Sequence, residues 1–373
     1  MPSDYHITHL TSAHPRTDTR IFHKMCTSFA NRGHQVTLIV ADGKGDEIKD
    51  GVRILDVEAS KDRYDRIRNA PKRVFAKAAL QKADLYQLHD PELIPIGLKL
   101  KNLGKRVIFD SHEDVPKQVL SKPYLNQLTK WPIAQALQVY EAWACRKLDG
   151  VIAATPFIRD KFLKINTYSI DICNFPLLDE LAFNKSWDTK ELIACYVGGI
   201  NKGRGIIEMI EAIGQVKSDV RLRLAGAFSD SQLLQLIQAM PGWQKVDALG
   251  FVDREGVRDT LKHSIIGLVT LHPNINYKDA LPVKMFEYMS AGIPVIASDF
   301  PLWREIISSN ECGILVDPLN PLEIARAIDY LAMHPQEAER MGRSGREAVL
   351  EKYNWPNEEN KLLDFYEKII NKK

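Results

Sequence analysis

The sequence has little of what would mark a secreted, membrane-spanning or nucleic-acid-binding chain. Cysteine is scarce: Cys26, Cys145, Cys173, Cys195 and Cys312 are five in 373 residues. Their number is odd, their spacing is wide and no two form a Cys-x-x-Cys pair. Neither a disulfide framework nor a zinc site can be read from them, and a reducing compartment fits best. Nowhere do 18 uncharged apolar residues run together, so no membrane-spanning helix is expected. The N-terminal MPSDYHITHL lacks a basic run followed by an apolar one, so no secretory signal is visible and a cytoplasmic protein is expected. Neither sign of charge dominates, with 50 Lys and Arg against 48 Asp and Glu. Without a recognised nucleic-acid module, that balance argues against a DNA or RNA partner. Internal repeats and low-complexity tracts are also missing.

What is present is ordinary globular composition, 45% apolar and 26% charged, in a chain long enough for two domains with large cores. Charge is unevenly divided. Residues 1–175 carry 27 cations and 20 acids, a net +7, and the remainder carries 23 and 28, a net −5. Such asymmetry suggests that the halves meet different partners.

Short Val- and Ile-rich runs alternate with amphipathic stretches. Strands are expected at 6–12, 35–41, 52–57, 85–90, 106–112 and 150–155, and helices near 20–31, 91–103 and 123–147. The pattern predicts βα units and a parallel sheet buried on both faces. Residues 176–190, polar and without period, read as a linker. A second series follows at 193–199, 220–226, 246–251, 265–271, 294–298 and 313–317, with a helical tail. The expected architecture is α/β: two doubly wound Rossmann-like domains, 1–175 and 191–353, facing across a cleft where such folds bind ligands.

Three segments carry candidate chemistry. The first turn, TSAHPRTDTR, lacks the Gly-x-Gly-x-x-Gly of a dinucleotide site. Its His14, Arg16 and Arg20 precede a helix N-terminus and suit an anion, although Asp18 or Thr19 capping that helix explains the loop as well. After the first strand of the second domain comes Gly198-Gly199-Ile200-Asn201-Lys202-Gly203-Arg204-Gly205, glycines around two cations at a helix mouth, a modest phosphate-binding signal. The third segment, NYKDALPVKMFEYMSAGIPVIAS (276–298), predicts a helix opening at Pro282 and stopped by Gly292. Asp279 lies in the loop before it and Glu287 within it. Lys284, in the first turn, opposes the helix dipole, so a nearby anion or a salt bridge to Asp279 is expected.

With these residues in view, the sequence resembles the glycosyltransferase family 4 group, retaining enzymes of the GT-B fold. Asp279-x7-Glu287 resembles the family's E-x7-E pair, with Asp at its first position. The YVGGINKGRGI loop resembles the family's diphosphate loop, with Gly199 at the arginine position, Arg204 at the lysine position and Lys202 as a substitute cation. RLAGAFSDS and LGFVDREGV, including Phe251 and Val252, are similar to segments framing the nucleobase. YNWPNEENKLLDFYEKI is similar to the tail helix, about 354–373, that crosses back to the first domain. HPRTDTRIF, LHDPEL and FDSHEDVP resemble a subgroup common in bacterial polysaccharide assembly.

The resemblance implies transfer of a sugar from a UDP- or GDP-type donor to a glycan or lipid-linked acceptor, with retention. It implies no cofactor and, without a D-x-D motif, no metal. Arg204, Lys202 and the amides of Leu281, Pro282's neighbour Val283 and Lys284 would take the diphosphate, beside Gly198 and Gly199. Glu287 would accept from the ribose and Asp279 from the sugar. His112 matches the active-site histidine near the donor sugar. Acceptor contacts would come from His14, Arg16, Arg20, His89, Glu113 and Asp114. The basic stretch 61–82, with eight cations and two acids, is a candidate for peripheral contact with anionic lipid, or a solvated helix face. A nucleotide-sugar 2-epimerase of the same fold and a catalytically silent relative are the alternatives.

Overall fold

The computed structural model describes residues 4–120, 126–178, 180 and 187–372. The chain forms two compact units, Met1–Asn174 with Glu358–Lys373, and Phe175–Asn357. Of the expected linker 176–190, residues 179 and 181–186 lie outside the described residues, as do 123–125 of the helix expected at 123–147.

The first unit holds eight strands: β1 (His6–Leu10), β2 (Gln35–Val40), β3 (Glu47–Lys49), β4 (Val52–Asp56), β5 (Leu85–Leu88), β6 (Val107–Ser111), β7 (Gly150–Ala153) and β8 (Ser169–Asp171). Their order is β3-β4-β2-β1-β5-β6-β7-β8. All neighbours are parallel except β3 against β4. The six expected strands are those whose apolar runs are buried on both faces. β3 and β8 were not foreseen. They read EIK and SID, three residues each, and lie at the two sheet edges, where short polar strands carry no hydrophobic signature.

The second unit has β9 (Ile193–Val197), β10 (Arg221–Ala225), β11 (Val246–Gly250), β12 (Ile266–Val269), β13 (Val295–Ser298) and β14 (Gly313–Val316). Their order is β11-β10-β9-β12-β13-β14, parallel throughout. Ile206, Met209, Ile210 and Ile213 of the helix Ile206–Gln215 pack on Leu222, Leu224, Ile266 and Leu268. In each unit the strand order reverses once, beside β1 and beside β9. Loops leaving the carboxyl ends of strands on either side of a reversal splay apart and leave a crevice.

The expected helix 20–31 forms in two parts, a wide turn Ile21–Cys26 of π-helical spacing and the helix Thr27–Asn31. Asp18 caps it: its Oδ1 accepts from the N–H groups of Arg20 and Ile21, both at 2.9 Å. The tail helix Trp355–Ile370 is tied to the first unit beyond Glu358. Glu358 accepts from the Cys173 N–H at 2.6 Å, and Tyr366 stacks on Phe29 with centroids 4.7 Å apart.

The basic stretch 61–82 folds as helices Arg63–Arg68 and Ala70–Ala79. Val74 and Ala78 are fully buried in the core, whereas Tyr64, Ile67 and Leu80 are exposed. Three of its cations meet carboxylates: Arg66 with Glu92, Arg73 with Asp65 and Lys77 with Asp46. Among the described residues, no helix is long and apolar enough to cross a membrane.

One buried ion pair links the capped turn to the sheet. Arg20 donates from Nη2 and Nε to the Asp110 carboxylate at 2.7 and 3.0 Å, and from Nη1 to the Ile172 carbonyl at 2.8 Å. Both residues are buried. Removing one partner leaves the other charged and unpaired in a low-dielectric interior. Arg20→Ala is therefore expected to destabilise the protein by about 3–5 kcal/mol, read as a lowered urea midpoint.

Candidate functional site

In the second unit, the loop after β9 turns on Gly198, whose φ of 117° lies in the region that favours glycine. A side chain there would meet Lys284 Nζ at 3.2 Å and Arg204 Nη1 at 3.5 Å. Two cationic ends thus flank one point beside a bare backbone. Gly205, with φ of 75°, closes the turn Lys202–Arg204 and starts the helix Ile206–Gln215. A Cβ on it would overlap the Thr270 carbonyl at 2.0 Å, so the loop after β9 packs directly on the chain after β12.

Arg204 donates from Nη1 to the Gly199 carbonyl at 3.3 Å and meets the phenols of Tyr196 and Tyr277. Among the described residues its Nε, which is buried, has no hydrogen-bond partner. Lys284 is buried, and among the described residues its Nζ has no hydrogen-bond partner either. The salt bridge to Asp279 is not formed; the ammonium instead lies 3.6 Å from the centre of the Tyr196 ring. Burial, reinforced by the Arg204 charge, pushes the Lys284 amine well below its ordinary value. The Glu287 carboxylate acts on the amine in the opposite direction but is itself paired with Arg254.

Glu287 is buried on the helix Val283–Ser290. Its Oε1 accepts from Arg254 Nη1 at 2.6 Å, and Arg254 Nε also pairs with Glu180. Asp279 is half-buried in the turn 275–279 ahead of that helix, a loop held by Trp303 Nε1 donating to the Ala280 carbonyl at 2.7 Å. Leu281 and Pro282 lead into the helix, placing the first amides, Val283 among them, at its N-terminus. Lys202 is exposed, as is Phe251 after β11, and Val252 is half-buried.

In the first unit, histidines and carboxylates gather at the carboxyl ends of β1, β5 and β6. Asp110 Oδ2 accepts from His89 Nδ1 at 3.1 Å and His112 Nε2 at 3.0 Å. His89 Nε2 lies 3.0 Å from His9 Nδ1. His14 Nδ1 pairs with Asp90 Oδ1 at 2.9 Å, and its ring is 5.0 Å from that of His112. Burial would raise the Asp90 carboxyl, but His14, the Ser12 N–H and the Thr11 hydroxyl hold it down to about 2. Asp110 is likewise held well below the carboxylate range, against its burial, by Arg20 and His112. Burial keeps His9 and His89 below the ordinary imidazole value, whereas Asp90, outweighing burial, raises His14.

Two of the loop cations expected to meet an anion are already engaged. Arg16 is spent on Asp42 at 2.6 and 2.8 Å, Glu47 at 2.8 Å and the Gly45 carbonyl. Arg20 is spent on Asp110 and the Ile172 carbonyl. Their guanidinium groups are consumed by the fold. Asp114 sits at the start of the helix Val115–Leu120 and pairs with Lys161 at 3.0 Å, and the exposed Glu113 accepts from the Gln118 amide.

Comparison with known proteins follows the same division. The family model described as glycosyl transferases group 1 matches residues 179–348, and that described as Glycosyltransferase Family 4 matches residues 19–171. The chain belongs to the group 1, family 4 glycosyltransferases. An alpha-maltose-1-phosphate synthase of Mycolicibacterium smegmatis is 25% identical over 197 residues, 49% of this chain and 49% of that protein. The match therefore spans about half the length of that relative. The sucrose-phosphate synthase of Thermosynechococcus elongatus superposes with a TM-score of 0.79 at 18% identity, covering 99% of this chain and all of that one. Anabaena HepE in complex with UDP-glucose gives 0.73 at 15% identity, covering 98% and 100%. These likenesses identify the two Rossmann-like units of this glycosyltransferase as the GT-B fold.

Sequence reasoning on the glycosyltransferase missed Arg254, Tyr196, Tyr277, Asp90 and Asp110. Arg254 and Asp90 sit inside quoted motifs, but nothing local reveals their partners. Asp110 did leave a signal. It is an acid inside the apolar run VIFDS, two residues before His112, and period-two spacing puts both on one face.

The imidazole cluster makes a pH prediction. For His9 and His89 the folded-state value lies below the unfolded 6.5, so their stabilisation is complete above that pH and is lost as pH falls through it. Each contributes a slope of up to about 1.4 kcal/mol per pH unit. His14, raised, acts in the opposite sense, and Asp90 and Asp110 act only below about pH 4. The melting temperature should therefore fall between pH 8 and 5.5, and His9→Gln should flatten that dependence, as scanning calorimetry would record.

Proposed function

We propose that this chain transfers a hexosyl group from a nucleoside-diphosphate sugar to an acceptor with retention at the anomeric carbon, and that the second unit holds the donor. The observation that carries the reading is the crowded pair of basic groups, Arg204 and Lys284, beside Gly198 at the strand-order reversal. A diphosphate supplies the charge this place lacks. That HepE is described in complex with UDP-glucose supports a donor of this class.

In this reading Arg204, Lys284 and Lys202 stabilise the departing diphosphate together with the amides that open the helix Val283–Ser290. Preorganised charge acts where negative charge develops, without reorganisation cost at the moment of reaction. Glu287, oriented by Arg254, accepts from the ribose hydroxyls. Phe251 and Val252 frame the base. Asp279 holds a sugar hydroxyl and so fixes the ring for attack. The C1–O bond to phosphate breaks as the acceptor oxygen bonds to C1 on the same face. The acceptor's proton passes to the leaving phosphate oxygen.

The first unit supplies the acceptor side. His112 is its exposed-edge imidazole, held by Asp110. His14, held by Asp90, lies next to it with the proton retained to higher pH, and His89 packs against His112 with ring centroids 5.7 Å apart. A glycan or lipid-linked acceptor, as in surface polysaccharide assembly, fits the subgroup resemblance of the first-domain motifs.

Arg204→Ala and Glu287→Ala are each expected to lower sugar transfer by roughly 10²–10³-fold, with melting temperatures close to that of the parent protein. Near-normal turnover in both variants would overturn the donor assignment. The depressed Lys284 amine makes a second prediction. A bound diphosphate raises its proton affinity, so nucleotide binding should be accompanied by proton uptake and weaken as pH rises. Calorimetry of UDP and GDP in buffers of different ionisation enthalpy measures this directly, and Lys284→Met should abolish the uptake.

A further inference from the structure

We propose that Asp110 is a positioning residue for sugar transfer: it holds the hydrogen of His112 on Nε2, so that a bare Nδ1 is the atom this imidazole offers to a substrate hydroxyl. Asp110 is fully buried, and Arg20 donates to both of its oxygens. An ionised carboxylate can only accept. Its Oδ2 lies 3.1 Å from His89 Nδ1 and 3.0 Å from His112 Nε2, so both of those nitrogens carry hydrogen. The polarity then passes inward. Burial keeps His89 neutral at pH 7, so with Nδ1 protonated its Nε2 is a lone pair. His9 Nδ1, 3.0 Å from that lone pair, must donate. His9, also kept neutral by burial, is left with its lone pair on Nε2, a buried atom that has no hydrogen-bond partner among the described residues. Were the direction reversed, His89 would need a second proton in the interior, and His9 Nε2 would be a buried donor with nothing to meet. The row of imidazoles therefore runs one way, and Asp110 sets it.

His112 is the member of this row that reaches the surface, its side chain 21% exposed, while His9, His89 and Asp110 are buried. Its Nε2 is committed to Asp110, and among the described residues its Nδ1 has no hydrogen-bond partner. The nitrogen left for a ligand is thus an acceptor. A lone pair repels the oxygens of a phosphate or carboxylate and takes an O–H or N–H. The identity of that group rests on the proposed function: in sugar transfer it is a hydroxyl. His14 is a complementary neighbour. Its Nδ1 is held by Asp90 at 2.9 Å and lies 3.3 Å from Thr11 Oγ1, and its ring is 5.0 Å from that of His112. Against its burial, Asp90 raises its proton affinity. A protonated His14 also keeps a hydrogen on Nε2, so the two rings offer one acceptor and one donor. A hydroxyl can satisfy both, because its oxygen donates and accepts. An imidazole free to exchange tautomers would present the wrong form part of the time and would have to correct it on binding.

The full chain, with its histidines isotopically labelled on nitrogen, tests this without turnover. Heteronuclear NMR correlations at pH 8 identify which imidazole nitrogen carries hydrogen, and loss of the His112 signals in His112→Gln assigns them. The parent is expected to show His112 protonated wholly on Nε2, and His9 and His89 on Nδ1, the form an unconstrained imidazole disfavours. Asp110→Ala should release His112 to a mixture of forms; where that variant does not fold, the parent spectrum decides by itself. Two substitutions then separate presentation of Nδ1 from a merely structural bond to Asp110. The glutamine amide reaches where Nε2 stands and can keep that bond, whereas the asparagine amide reaches where Nδ1 stands. His112→Gln is expected to keep the parent's melting curve and to lower sugar transfer about tenfold, and His112→Asn should retain more transfer than His112→Gln. Hydrogen on His112 Nδ1 in the parent, an unchanged His112 spectrum in folded Asp110→Ala, full transfer by His112→Gln, or an equal or larger loss in His112→Asn would each overturn the proposal. Failure of the proposed function is distinguishable: the parent would transfer no sugar, while the labelled spectrum would still report whether Asp110 fixes His112.

Discussion

A lysine amine and a guanidinium crowd the same bare stretch of backbone at Gly198, and the Glu287 carboxylate that acts on the amine is held by Arg254. Water would disperse that repulsion, but Lys284 is buried against the face of Tyr196. Burial and the neighbouring guanidinium lower the amine's proton affinity, the direction in which such crowding is costly. Such a cost persists in a fold when something outside the chain offsets it. Everything around the pair keeps it in place: the left-handed turn at Gly198, the contact of Gly205 with the chain after β12, and the helix that presents Lys284 from its first turn. The loop, the turn and the helix bring the two basic groups together, and in the proposed reading a bound diphosphate is their negative partner.

The first unit handles charge in the opposite way. Arg16 and Arg20 are saturated by carboxylates and carbonyls within the fold, and Asp90 and Asp110 are each held ionised by a histidine and further donors. Balanced networks of this kind rigidify a site without asking for a ligand. The result is an array of imidazoles with fixed orientation, among which His14 and His112 reach the surface. In the proposed reading, the crowded basic groups of one unit receive a leaving anion and the carboxylate-held imidazoles of the other handle a neutral hydroxyl.

Much of this was legible before any coordinates. The ten central strands announced themselves because both faces of a parallel sheet are buried, which forces a continuous apolar run. Of the four edge strands, β11 and β14 were also legible, whereas β3 and β8 were not, because short polar segments such as EIK and SID need not be apolar to pair. Gly198, Gly205, Pro282 and Gly292 marked turns and helix ends through backbone chemistry that glycine and proline make local. Asp279, Lys284 and Glu287 were visible as charges on one loop and helix. For the basic stretch 61–82, composition does not say which side of each helix faces the sheet. Val74 and Ala78 turned inward, Tyr64, Ile67 and Leu80 stayed outside, and Arg66 and Lys77 found acids distant in sequence.

The residues alone therefore determined the α/β layering, the family, and the segments from which a donor site would be built, since strand burial and turn chemistry are properties of neighbours along the chain. Only the tertiary structure decided which charges stayed unanswered. Arg16 and Arg20 looked as available as Arg204 and Lys284, and what separates them is whether Asp42, Glu47 and Asp110 come within reach. That is settled by strand order and by the packing of elements distant in sequence, because an electrostatic partner is defined by distance in space and not by position along the chain.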